Sequence, residues 1–182
     1  MALASEKYVT SNKIKPIAKV LSWASSAGNP DYMGITPITA IQKLMKKMSV
    51  NINYFNLVEV NEAFAATSVA VQRSLKIDPS KLNIAGGAIA LGHPIGCSGA
   101  RIITTLSHQL RRTKQKFGVA SMCIGGGQGL AIAIENLKFS CVQLLLNNNV
   151  RVDEKSKQML EFIAKQSKIT YDELISFLIV LL

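Results

Sequence analysis

The chain has 182 residues, 48% of them hydrophobic and 18% charged, which gives about one domain with a core of its own and excludes wholesale disorder. Its longest apolar run, Leu174 to Leu182, is broken by Ser176 and falls short of the roughly 18 residues a membrane-spanning helix needs. The net charge is +10, but the basic residues stand singly or in pairs (Lys46-Lys47, Arg111-Arg112), a pattern that favours a solvated surface over a nucleic-acid stripe and also suits an acidic small ligand.

In chain order, Lys13 to Trp23 reads as a strand with Pro16 near its start, followed by a turn at Gly28-Asn29-Pro30. Thr36 followed by Pro37 looks like a helix cap and first turn. Ile38, Ile41, Leu44, Met45 and Met48 recur at helical spacing behind it, so Pro37 to Met48 is predicted to be an amphipathic helix. Asn56 to Val60 is a short strand. Glu62 to Lys76 is rich in Ala and Val nearly all round, the pattern of a buried helix. Leu82 to Ala85 is a further short strand, leading into a glycine-rich loop. Ser98 is expected to cap a helix to about Lys114, with Ile103, Leu106 and Leu110 on one face. Phe117 to Ile124 and Leu130 to Leu137 are apolar strands flanking GGGQG. Strands alternating with helices predict an α/β layered domain. Beyond about residue 137 glycine disappears, and Asp153 to Gln166 and Thr170 to Leu181 read as two helices, the second with a Thr170–Glu173 capping box.

Polar residues that make poor core cluster in three segments: Asn61 to Ala65, Asn83 to Arg101 and Ser121 to Gly129. His93 sits in a loop flanked by Gly86, Gly87, Gly92, Gly96 and Gly99, which permit unusual backbone and close ligand approach. A lone histidine is often structural; a loop built around one points to function. Cys97 lies four residues on, but the glycine-broken segment and the lack of a further ligand cluster argue against metal. Cys123 ends an apolar strand. Such a cysteine is usually a small hydrophobe, yet one facing free glycine N–H groups is where a thiolate or an oxyanion can be stabilised. GGGQG lies between strands, so a dinucleotide fingerprint is a weak reading. His108, beside Arg111 and Arg112, reads as surface.

NIAGGAIALGHPIGCSGAR, Asn83 to Arg101, resembles the signature of the thiolases. Cys123 with GGGQG resembles their third signature, Asn61-Glu62-Ala63-Phe64 their N-E-A-F motif, and GNPDYMGITP from Gly28 is similar as well. Order and spacing agree over residues 1 to about 137, corresponding to the C-terminal third or so of a thiolase. The resemblance implies an α/β thiolase-like C-terminal domain with a mixed five-stranded sheet and helices on both faces, plus a helical tail. Residues 1–15 would be a remnant of the N-terminal domain's last strand and linker helix, 16–137 the domain, and 138–182 a tail of foreign origin.

It also implies roles. His93 would activate the nucleophilic cysteine and help bind the thioester oxygen. Cys123, as a thiolate lowered by a histidine and the glycine-rich loop, would move the α-carbon proton. Asn61 would hold a water that completes one oxyanion hole with His93, and the N–H of Gly125 would serve the other. Met33, Ala63 and Phe64 would line the pantetheine and acyl channel. The expected activity is acetyl-CoA C-acetyltransferase or 3-ketoacyl-CoA thiolase chemistry on CoA thioesters, with no metal or other cofactor. The triple glycine leans toward the short-chain, acetoacetyl-CoA type. The family's acylated cysteine belongs to the N-terminal domain, and Cys97, Cys123 and Cys141 do not match it. The isolated chain is therefore expected to be inactive, and its expected partner is an N-terminal thiolase half or further copies of itself in a homo-oligomer. A non-catalytic remnant and an interaction module are the alternatives. MALASEKYV has no basic and apolar leader pattern and three cysteines make no disulfide framework, so the expected location is cytoplasmic, with neither nucleic acid nor membrane as partner.

Overall fold

A computed structural model describes residues 1–137, which form one compact unit. The helices expected within Asp153–Gln166 and Thr170–Leu181 lie outside the described residues. Helix α1 (Glu6–Ser11) is capped by Ser5, whose Oγ accepts from the Tyr8 N–H. This short helix lies within residues 1–15, where a remnant strand and linker helix were expected. Strand β1 (Ala18–Ala27) begins five residues later than its predicted start. It is followed by a 3-10 turn (Pro30–Ile35), which Asn29 opens by accepting from the Asp31 N–H.

Helix α2 (Thr36–Met48) has the predicted face, with Ala40, Ile41 and Leu44 fully buried. Thr36 is its first helical residue rather than its cap. Its hydroxyl shares one proton between the carbonyls of Met33 and Gln128, at 2.7 and 2.6 Å, and so ties the helix to the sheet. Strand β2 (Leu57–Val60) is buried throughout. Helix α3 (Ala65–Leu75) starts three residues later than predicted, after an extended Phe64. Only Thr67, Val71 and Leu75 of this helix are buried, so within the described residues its outer face is open rather than covered on both sides. A short helix α4 (Ala88–Leu91) precedes α5 (Ser98–Arg112). Strands β3 (Phe117–Ile124) and β4 (Gln128–Asn136) form the expected hairpin around the triple glycine.

The sheet has four strands in the order β1-β4-β3-β2, antiparallel except for the parallel β2–β3 pair. The five-stranded expectation is corrected at Leu82 to Ala85, which makes a single bridge to Val58. Asn83 explains this. Its backbone is left-handed at φ 47°, and its side chain takes over the pairing: Oδ1 accepts from the Val60 N–H and Nδ2 donates to the Val60 carbonyl. A side chain replaces the ladder that a fifth strand would have supplied.

Pleating sends alternate residues to two cores. Val58, Val60, Val119 and Ala133 pack with α2 and α3 on one face. Leu57, Ala120 and Ile134 pack with Ile102, Leu106 and Leu110 of α5 on the other, so helices cover both faces as expected. Among the described residues coverage on the α5 side is partial: an apolar groove of about 240 Å3 is lined by Trp23, Ile102, Ile103, Met122, Leu130 and Ile132 among others.

Glu59 faces α5 with 2% exposure. Burial pushes its carboxyl up to about 7 from an ordinary 4.5; Arg101 opposes the rise and Glu62 adds to it. The folded chain therefore holds a proton that the unfolded chain has released between those values. Stability falls as pH rises from 4.5 through 7, by about 2–3 kcal/mol from this group. Urea unfolding at both ends of that window is expected to show the loss in the native chain and a correspondingly smaller one in Glu59→Gln. Equal pH dependence in both chains would show that Glu59 ionises freely.

Candidate active site

Parallel strands β2 and β3 end side by side, and the Asn61 N–H extends their pairing by donating to the Ser121 carbonyl at 2.9 Å. Asn61 is fully buried there. Its Nδ2 donates to His93 Nε2 at 3.2 Å, bringing the N-E-A-F segment and the histidine loop into direct contact. The amide thus bonds the imidazole itself, where the expected role was to hold a water; an amide nitrogen has a second hydrogen, which leaves that role open. His93 Nδ1 lies 2.5 Å from Ser98 Oγ, whose proton goes to the Pro94 carbonyl at 3.1 Å. This corrects the expected cap: Cys97 holds the cap position of α5 without a side-chain bond, while the Ser98 hydroxyl turns back to the histidine. Cys97 itself is exposed, and His108 is on the surface as predicted.

Cys123 lies two residues beyond Ser121, on the same side of β3, and is 7% exposed. Burial pushes its thiol above the ordinary cysteine value, with a backbone hydrogen bond opposing the rise. The resting group is a neutral thiol. The pull toward a thiolate expected from a histidine and the glycine turn is not among the causes of its shift.

The glycine turn is held by close backbone approach. The Gly28 N–H donates to the Gly127 carbonyl at 2.8 Å, and a Cβ on Gly127, whose φ is +81°, would sit 2.4 Å from the Gly28 oxygen. Gly125 is exposed at the tip, with open space around it for an acceptor. Met33 is half-buried in the 3-10 turn, which packs on α3 closely enough for a Cβ at Gly34 to reach 2.9 Å from Thr67 Oγ1. Ala63 is half-buried and Phe64 is 60% exposed. The fold thus joins Asn61 and His93 directly and sets Cys123 on the adjoining strand end, with Gly125 on the turn that follows it.

Sequence reading missed how four residues, Glu62, Gly87, Arg101 and Glu59, support the site. Glu62 is a clamp: its Oε1 accepts from Asn83 Nδ2 and its Oε2 from the Ile89 N–H, both at 3.0 Å. Gly87 leaves room for that carboxylate, since a Cβ there would lie 2.3 Å from Glu62 Cδ. Arg101 Nη2 donates to Asn61 Oδ1 at 3.4 Å, and Arg101 Nη1 lies 3.9 Å from the buried Glu59 Oε2. A charged residue in the middle of the apolar β2 run was the available signal. Among the described residues no group of three or more His, Cys, Asp or Glu side chains is placed to hold a metal ion, and no helix is long and apolar enough to cross a membrane.

Residues 14–136 match the family model described as thiolase, C-terminal domain. The mitochondrial 3-ketoacyl-CoA thiolase of Bos taurus is 49% identical over 134 residues, covering 74% of this chain and 34% of that protein. The cytosolic acetyl-CoA acetyltransferase of Rattus norvegicus is 44% identical over 135 residues, with the same coverage. An Ascaris suum thiolase, solved in complex with coenzyme A, superposes with a TM-score of 0.70 at 42% identity, over 74% of this chain and 35% of that one. The chain therefore spans about a third of the length of the curated relatives it matches. Through a match that covers most of its length, with a fold and sequence in agreement, this chain belongs to the thiolase family, to whose C-terminal domain residues 14–136 correspond.

Proposed function

We propose that this chain carries the proton-transfer and oxyanion part of a thiolase active site. The reaction is condensation of two acetyl-CoA to acetoacetyl-CoA, or thiolytic cleavage of a 3-ketoacyl-CoA. The Asn61–His93 pair at the carboxyl ends of two parallel strands, with Cys123 on the neighbouring strand end, carries this reading. The coenzyme A complex of the Ascaris relative supports CoA thioesters as the ligands. The cytosolic relative supports a cytoplasmic site of action, although mitochondrial thiolases share the domain. Residues 16–137 act as the domain, with 1–15 as an N-terminal extension and 138–182 as a separate tail.

The nucleophilic thiol comes from an N-terminal thiolase half. The groove around Trp23, Met122 and Leu130 and the outer face of α3, both exposed among the described residues, support apolar docking of such a half or of a second copy. His93 Nε2, unprotonated because it accepts from Asn61, takes the proton of that thiol. The thiolate attacks the thioester carbon, the C–S bond to CoA breaks, and Cys123 gives its proton to the departing sulfur. Cys123 is then the thiolate that removes the α-proton of the second acetyl-CoA. The enolate attacks the acyl-enzyme carbonyl. The acyl–cysteine bond breaks, and His93 returns the proton it took. Protonating Nε2 sets it against the Asn61 amide, donor facing donor, so both donors turn to the thioester oxygen and form one oxyanion hole. The Gly125 N–H serves the other, and Met33, Ala63 and Phe64 border the pantetheine and acyl path.

Without an N-terminal half the chain is expected to form no acyl-enzyme. Intact mass after incubation with acetyl-CoA checks this, and a stable acetyl adduct on Cys97 or Cys123 would overturn the division of roles. With a thiolase N-terminal half added in trans, acetoacetyl-CoA thiolysis is expected to appear. His93→Ala and Cys123→Ala should each remove about 10²–10⁴ of that rate, while Cys97→Ala leaves it intact. A Cys97→Ala loss equal to that of Cys123→Ala would refute the assignment. Absence of turnover in every pairing would favour a non-catalytic remnant or an interaction module.

A further inference from the structure

We propose that Arg101, braced by Glu59, is a positioning residue that fixes the orientation of the Asn61 amide and through it the tautomer of His93. The proposal rests on the preceding reading only for what His93 does, not for how it is held.

The inference follows from which groups can donate. A guanidinium has donors and no acceptor, so the Asn61 atom 3.4 Å from Arg101 Nη2 must be Oδ1. That turns Nδ2, a pure donor, toward His93 Nε2. Nε2 must then accept, and the neutral ring carries its hydrogen on Nδ1, where it donates to Ser98 Oγ; Ser98 passes its own proton to the Pro94 carbonyl. Every bond in the series has one donor and one acceptor, in a single direction from Arg101 to Pro94. Reversing any member would place two donors or two acceptors face to face.

The two ends of an asparagine amide are nearly the same shape, so packing by itself does not choose between them. With Arg101 removed, Asn61 could turn Oδ1 to the ring. Nε2 would then hold the hydrogen, and the lone pair needed to accept a proton would be lost. Arg101 is suited to the task by its own confinement. Its side chain is 16% exposed, it stands in the first turn of α5, and its Nη1 faces a Glu59 side chain that is 2% exposed. Its Nε and Nη1 and Glu59 Oε2 make no hydrogen bond among the described residues, so charge attraction rather than a fork of bonds holds the pair. Glu62 is the other carboxylate in reach of Glu59, and its oxygens are engaged by Asn83 and Ile89.

The test reads the tautomer directly, in the full chain without substrate or partner. The chain has two histidines, and exposed His108 is an internal reference. Long-range 1H–15N spectra, recorded about two units above the ordinary imidazole pKa, report which ring nitrogen carries the hydrogen. His93 is expected to be mainly Nδ1–H. The double variant Glu59→Gln with Arg101→Met keeps volume and leaves no buried charge unpaired, which favours folding. It is expected to lower the Nδ1–H to Nε2–H ratio of His93 roughly fivefold, the worth of one ordinary hydrogen bond, with the His108 ratio unchanged. Asn61→Asp, which places an acceptor against the ring, should move His93 to Nε2–H and gives a second route to the same answer. An Nε2–H His93 in the native chain, or a ratio unmoved by the double variant while the backbone amide spectrum stays native, overturns the proposal. Because no turnover is measured, a failure here is distinct from a failure of the proposed activity.

Discussion

A fully buried asparagine at the end of β2 sets the terms for the surrounding structure. Asn61 exposes no surface, so each of its side-chain polar atoms must be paired inside the protein or cost about 1–3 kcal/mol. One atom takes a charged partner from α5 and the other takes the imidazole of a loop that would otherwise be held by little else. His93 is exposed, and its neighbours Leu91 to Cys97 are exposed as well. Its position therefore depends on two polar bonds, one at each ring nitrogen, rather than on packing. Burying the asparagine is what gives an exposed histidine a defined place.

The carboxyl ends of parallel strands are where chain ends and helix starts converge in α/β sheets. Here β2 and β3 end together, and the segments that follow them diverge: 61–64 bends into α3 through an extended Phe64, and β3 turns through three glycines into β4. Glu62 keeps the first of these from collapsing into helix. Its carboxylate is bonded to Asn83 and to the start of α4, so Glu62 stays outside the helix and Asn61 is held at the strand's last rung. The close contact between Gly127 and Gly28 fixes the second and carries the 3-10 turn with Met33 alongside. Two clamps, one a carboxylate accepting two hydrogen bonds and one made of bare backbone, thus bring three distant sequence segments to one edge.

What was legible in the sequence was what repeats or what is local. The apolar period of α2 and the β3–β4 runs around the triple glycine appear close to where they were expected, because one buried face dictates each pattern. The three site segments were legible as polar residues with no reason to be core. The failures have a common cause, which is side chains doing backbone work across long sequence separations. Asn83 imitates a strand from a left-handed residue, so Leu82 to Ala85 looks like β and is not. Ser98 has the chemistry of a cap but spends its hydroxyl on His93, and Thr36 likewise on Gln128. Glu62 has good helix propensity yet is held out of α3 by a partner twenty-one residues away. Arg101 read as the last letter of a glycine-rich motif, and only the structure turns it toward Glu59 and Asn61.

The protonation states divide the site in a way that neither residue type predicts. Cysteine and histidine side by side suggest an ion pair, with the thiolate supported by an imidazolium. Cys123 sits in low-dielectric surroundings that favour the neutral thiol, and His93 bonds to a neutral amide and a hydroxyl. The buried charges, Glu59 and Arg101, lie on the α5 side of the sheet, with Asn61 between them and the imidazole. No charged side chain contributes to the shift of the Cys123 thiol. In the reaction proposed above, charge would develop on substrate oxygen or on sulfur, where donors meet it, instead of being spent in a resting ion pair. The cost falls on Glu59, whose carboxyl is kept half-neutralised near pH 7 so that a buried arginine can aim one nitrogen at one amide oxygen.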